Sequence, residues 1–162
     1  MFKKISAFFS KAPAKTAPAE LPKLTLDRNA QAVEPEVATA ICVLLIYLAS
    51  SDEEIASEES EAIFSLLEFN LQLSPELIPN VVQKAVVSRR EKGSAEGFIA
   101  LINNVYSIEQ RVRILAMAWK LILSDNKVEK PEERMLVRFS SMMFITLDQQ
   151  DKARAWAEEG LV

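Results

Sequence analysis

The chain has 162 residues, 49 % of them hydrophobic, and a formal net charge of −4. That length suits one domain plus a tail, and a domain of about 130 residues buries roughly two-thirds of the surface of its unfolded chain. Histidine is absent, which excludes Ser-His-Asp and Cys-His catalysis and most zinc-hydrolase sites, and only three glycines occur, too few for a hairpin-rich fold. An all-α chain is therefore expected.

The charge is divided unevenly along the sequence. Residues 1–33 hold six basic side chains (Lys3, Lys4, Lys11, Lys15, Lys23, Arg28) against Glu20 and Asp27, net +4, whereas residues 34–162 hold 13 basic and 21 acidic, net −8. Residues 11–22 are rich in Ala, Pro and Lys, with Pro13, Pro18 and Pro22, and are expected to form a disordered linker. The division is thus a basic tail, 1–33, and a helical body, 34–162. Within residues 1–11, Phe2, Ile5, Phe8 and Phe9 would share one side of a short helix, with Lys3, Lys4 and Lys11 around its flanks. That is the make-up of a weak anchor for an anionic membrane surface. The apolar run breaks at Ser10 and Lys11, shorter than the ~7–15 residues of a secretory core, so export is not expected. The longest uncharged stretch, residues 37–51, ends in polar serines and falls short of the about 20 residues a membrane span needs.

From residue 34 the pattern is helical. A first helix is expected from Pro35 to about residue 50, carrying the lone Cys42 in an apolar run as a core residue. Without a disulfide partner, that cysteine fits a reducing, cytoplasmic setting. A second helix opens at Ser57 with Glu58 and Glu59 in its first turn, and presents Ile63, Leu66, Leu67 and Leu71 at helical spacing. Ser74-Pro75-Glu76 is expected to start the third, with Pro79 distorting its first turns. The fourth begins at Ser94 and presents Phe98, Leu101, Ile102 and Val105. The fifth opens on a capping box, Ser107 with Gln110, and runs to about Leu123. Pro131 marks the sixth, ending near Phe144. Thr146 with Gln149 caps the seventh, and Gly160 suits its C-terminal end.

An internal repeat appears at an offset of 73 residues. Leu48-Ala-Ser-Ser-Asp52-Glu-Glu-Ile55-Ala-Ser-Glu-Glu59 aligns with Leu121-Ile-Leu-Ser-Asp125-Asn-Lys-Val128-Glu-Lys-Pro-Glu132, and Ile63 matches Leu136 further on. In each copy a helix ends, Asp turns the chain, an aliphatic residue (Ile55, Val128) pins the loop to the core, and Glu opens the next helix. The expected architecture is a compact bundle of about seven helices built from two pseudo-repeated helix–loop–helix halves.

This repeat resembles the TerB-like tellurite-resistance family, over roughly residues 35–158. The resemblance implies a compact bundle of about seven helices with two acidic loops, a non-catalytic role in tellurite and other chemical stress, and a link to metal-dependent signalling. The family usually has glycine after the loop Asp; Glu53 and Asn126 stand there in this chain. Asn tolerates left-handed backbone angles and Glu does so poorly, so the second loop matches better.

The candidate metal ligands are therefore Asp125, Glu132 and Glu129 in the favoured second loop, and Asp52 and Glu59 in the first. They are oxygen donors suited to calcium, magnesium or manganese, and no other cofactor is expected. The same side chains also have a plain structural use: Asp can bond its own turn, and Glu in a first helical turn complements the helix dipole. Met117, Trp119, Phe139, Met142, Met143 and Phe144 read as core, or as a Met-rich partner groove; Trp156, beside Arg154 and Glu158, reads as a contact surface. Basic clusters in the body are confined to Arg89-Arg90 and Arg111/Arg113, so nucleic-acid binding is not expected.

The functional expectation is a cytoplasmic, non-enzymatic stress-response module that docks protein partners and binds divalent cations. The alternatives are a membrane-peripheral adaptor on the inner face, held by residues 1–11, and a metal-dependent hydrolase. For the hydrolase, nothing in the sequence places Asp52 near Asp125.

Overall fold

The computed structural model describes residues 21–24, 34–49, 57–124 and 130–162. The expectations for the tail anchor and linker, for the loop aliphatics Ile55 and Val128, and for Asp52, Asp125 and Glu129 lie outside the described residues. Among those described there are seven α-helices and no strand: α1 (Pro35–Ala49), α2 (Ser57–Leu71), α3 (Ile78–Lys92), α4 (Glu96–Val105), α5 (Ile108–Leu123), α6 (Lys130–Met142) and α7 (Leu147–Glu158).

Local chemistry sets several of the helix ends. Both capping boxes form: Ser107 Oγ accepts from the Gln110 amide while Gln110 Oε1 accepts from the Ser107 amide, and Thr146 and Gln149 repeat the exchange at α7. The third helix starts later than expected. Residues 74–77 form a turn closed by Leu77 N–H donating to Ser74 O, and Pro79 sits in the first turn of α3. Proline there costs no hydrogen bond, because first-turn amides have no partner within the helix; Pro79 begins the helix and does not distort it. Gly160, at φ 73°, closes α7, with the Leu161 amide donating to Trp156 O. The end of α6 uses the same six-residue closure, Ile145 N–H to Ser140 O, but places Phe144 at the left-handed position with φ 59°. That turn throws Phe144 outward, 73 % exposed, instead of into the core expected for it.

Packing follows from α1. Residues 37–46 are all buried, so this helix is apolar on every side and must be surrounded. It packs against α2, α3, α4, α5 and α6, and α5 packs against α1, α2, α4, α6 and α7. The closest pairings are α1 with α3 and α5 with α7. The order α1–α2–α3 is thus echoed by α5–α6–α7, with the cross-contacts α2 to α5 and α6 to α1, and α4 joins the halves. The repeat extends one helix beyond the helix–loop–helix unit read from sequence. Ile63 and Leu136, its matched positions, are both within the core at 0 % and 1 % exposure. Cys42 lies wholly inside α1's packing, and burial pushes its thiol up to about 12, as befits an inert core residue.

The arginines of α5 fasten the rest. Arg111 donates from Nη1 to Met143 O (2.7 Å) and from Nε to Tyr106 O, holding the α6–α7 turn. Arg113 donates from Nε and Nη2 to Oδ1 of the buried Asn70, and from Nη1 to Pro22 O (3.0 Å). Residues 21–24, tail by composition, therefore lie against the body, with Leu24 1 % exposed and Lys23 O accepting from Gln110 Nε2. Trp156 is half-buried, its ring against the core with Lys152 Nζ 5.0 Å from the ring centroid.

Two outcomes follow. Replacing Arg113 with Met should lower stability by about 1.5–3 kcal/mol, the usual worth of hydrogen bonds from a charged group, seen as an earlier urea midpoint. Phe144→Gly should raise stability by about 0.5–1 kcal/mol, because it removes a left-handed strain and little burial, read as a higher Tm.

Candidate functional site

The two acidic loops leave α1 and α5 at equivalent ends and deliver the chain to the first turns of α2 and α6. Glu58 and Glu59 stand in the first turn of α2, and Glu132 and Glu133 in that of α6. Carboxylates there complement the positive end of each helix dipole, so the local fold favours acids at these positions whatever else they do.

The structure brings Glu59 and Glu132 to one place. A recess of about 20 Å³ is bordered by Leu48, Ala49, Glu58 and Glu59 from the first half and by Leu121, Ile122, Ser124 and Glu132 from the second. Leu48 and Leu121, Ala49 and Ile122, and Glu59 and Glu132 each differ by 73 in number, so the recess is lined by equivalent positions of the repeat. Its volume is that of roughly one water molecule or ion. Glu59 and Glu132 are both partly buried, and each already has an interaction partner. Among the described residues no three acidic side chains converge as a complete ligand set.

Of the five candidate ligands, then, Glu59 and Glu132 share the recess, while Asp52, Asp125 and Glu129 lie outside the described residues. Glu58 is a bordering acid that sequence reasoning missed. Its equivalent in the second half is Pro131, which carries no carboxylate, so the repeat held no signal for it. Chemically, the recess offers hard oxygen donors beside aliphatic side chains, and the Ser124 hydroxyl at its border donates to Leu121 O.

Residues 38–155 match a family model described as Tellurite resistance protein TerB. The chain belongs to the TerB family. The match spans α1 to nearly the end of α7, so every residue lining the recess lies within the TerB domain. Comparison with curated proteins and with solved structures gives no match. No helix among the described residues of the TerB domain is long and apolar enough to cross a membrane.

If Glu59 and Glu132 share this recess without added metal, a double-mutant cycle of Glu59→Gln and Glu132→Gln should give a coupling of about 0.5 kcal/mol or more. Urea unfolding in a chelating buffer measures it; strictly additive changes would separate the two carboxylates.

Proposed function

We propose that this TerB domain is a non-catalytic, cytoplasmic stress-response module that binds a divalent cation between its two acidic loops and docks protein partners. The observation that carries this reading is the meeting of Glu59 and Glu132, equivalent members of the repeat, at one ion-sized recess. Carboxylate oxygens from two sides suit calcium, magnesium or manganese, all of which take oxygen ligands. Asp52, Asp125 and Glu129, on the loops that end at this recess, are the proposed remaining ligands.

The ligand chemistry also argues against hydrolysis. A metal hydrolase needs an open coordination position and a general base or acid beside it. The recess, at about 20 Å³, is too small to admit a substrate. A bound ion would instead cross-link the two loop–helix junctions, so that its presence sets how firmly the two halves of the domain are held together. That is the behaviour of a responsive binding module.

Isothermal calorimetry of the full chain with calcium, magnesium and manganese tests the reading. Saturable heat is expected, reduced by Glu132→Gln and Glu59→Gln, and reduced more by Asp125→Asn than by Asp52→Asn because Asn126 suits the second loop's turn. Absence of both heat and thermal shift at about 1 mM ion, a level that detects even weak sites, would overturn it.

A further inference from the structure

Beside the acidic recess, with Tyr47 and Pro131 next in sequence to Leu48 and Glu132, lies a cleft of about 470 Å³. One wall is a continuous face of α6: Pro131, Arg134, Met135, Arg138, Phe139 and Met142 recur at i, i+3, i+4, i+7, i+8 and i+11. Those positions extend about 16 Å at 1.5 Å rise per residue, three helical turns. The opposite wall is the turn between α3 and α4, residues 93–96, and Tyr47 of α1 also lines the space. Asn103 Nδ2 of α4 donates to Met142 O (3.0 Å) and ties the two walls together at that end.

We propose that this cleft docks an acidic amphipathic peptide segment of a partner protein. The proposal locates the partner docking put forward above and is independent of the cation site. Three features support it. The first is the apolar stripe. Met135, Phe139 and Met142 offer thioethers beside an aromatic ring, an adaptable surface for aliphatic anchors of differing shape. Phe139 belongs to the core and floors the cleft, while Met135 and Met142, only partly buried against that core, line it.

The second is charge. Arg134 and Arg138 are exposed, stand one turn apart on the same helix, and have no ion-pair partner among the described residues. Like charges at i and i+4 disfavour a helix, so this pair runs against local preference in a domain whose other helix-end choices agree with its fold. On a body of net charge −8, two neighbouring arginines flanking an apolar stripe make a local positive site, complementary to carboxylates placed about one helical turn apart on a ligand. Glu96, on the other wall, is the acid lining the cleft; it offsets the uncapped N-terminus of α4 and leaves the arginine wall to carry the field. The chain's own basic residues 1–11 have the wrong sign for this site.

The third is the Tyr47 hydroxyl. It is shielded from solvent and lacks a hydrogen-bond partner among the described residues. Buried hydroxyls are ordinarily paired, and a peptide carbonyl or carboxylate entering beside Tyr47 would supply the missing acceptor.

The test uses the full chain in a chelating buffer, so a failed cation site leaves the result readable. The probe is a fluorescein-labelled peptide of about three helical turns, with leucines at i, i+4 and i+7 and glutamates four residues apart on the flank. A control peptide carries lysines in place of the glutamates. Fluorescence anisotropy should show the glutamate peptide binding at least ~10-fold more tightly than the lysine peptide, and Arg134→Glu with Arg138→Glu should invert that preference. Met135→Ala should weaken both peptides, and Glu96→Gln should strengthen the glutamate peptide. Unchanged thermal unfolding of these surface variants checks that they remain folded. The proposal is overturned if the glutamate peptide fails to bind at about 1 mM, or binds the arginine variants equally well. It is also overturned if dodecanoate displaces the peptide while peptides lacking leucine bind as well, which would mark a small-amphiphile site. Concentration-dependent dimerisation of the parent chain that the arginine substitutions abolish would assign the cleft to a second copy instead.

Discussion

A helix that is apolar on all sides cannot lie on a surface. From Val37 to Ile46 every residue of α1 is buried, and even Thr39 satisfies its hydroxyl within the helix by donating to Pro35 O. Each fully buried Leu, Ile or Val contributes about 1.5–3 kcal/mol, so leaving one side of α1 in water would cancel much of the stability of a domain this size. Each helix from α2 to α6 packs on α1. The remaining layout is the solution to covering it: α2 and α3 from its own half, α5 and α6 from the other, and α4 across the gap. Because α5 must also be covered, α7 packs on it as α3 packs on α1. The pseudo-symmetry is thus a packing requirement met twice by related sequences.

That requirement determines where the acids meet. Two central helices packed against each other end at one side of the bundle, and α2 and α6 start beside those ends. Helix starts attract carboxylates, since unpaired first-turn amides and the helix dipole both favour negative charge. Two related helix starts at one edge bring Glu59 and Glu132 together without any functional demand. The functional question is then whether the loop residues complete a ligand set around them.

The repeat made both halves of this arrangement legible in the sequence, to different degrees. Capping boxes at Ser107 and Thr146, the first-turn acids of α2 and the helical spacing of Ile63, Leu66, Leu67 and Leu71 are local signals, and local signals survive into the fold. Pro79 was ambiguous because a proline inside a helix and one starting it look alike when the start itself is uncertain. Phe144 shows another limit. A large aromatic at the end of an amphipathic pattern reads as core, yet the chain reverses there and the left-handed turn turns it to solvent. Long-range pairings were the least visible. Nothing near Arg113 in sequence announces Asn70 or Pro22, and nothing near Tyr47 announces α6. The family resemblance, now matched over residues 38–155, supplied the fold; it did not supply the cleft.

The arginines separate structure from function in this domain. Arg111 and Arg113 spend their donors on backbone carbonyls and on Asn70, and burial lowers the pKa of the Arg113 guanidinium below its ordinary value. Such a group is retained because removing it would leave buried acceptors unpaired. Arg154 lies over Trp119 and bonds Glu158 at 2.9 Å on the surface, a pairing that contributes little on its own. Arg134 and Arg138 fit neither pattern. They hold no described carbonyl, cover no described ring, and repel each other along one helix face beside the partly buried Met135 and Met142. Positions whose side chains gain nothing from the fold are where interaction with another molecule leaves its mark, and in this TerB domain they line the face of α6.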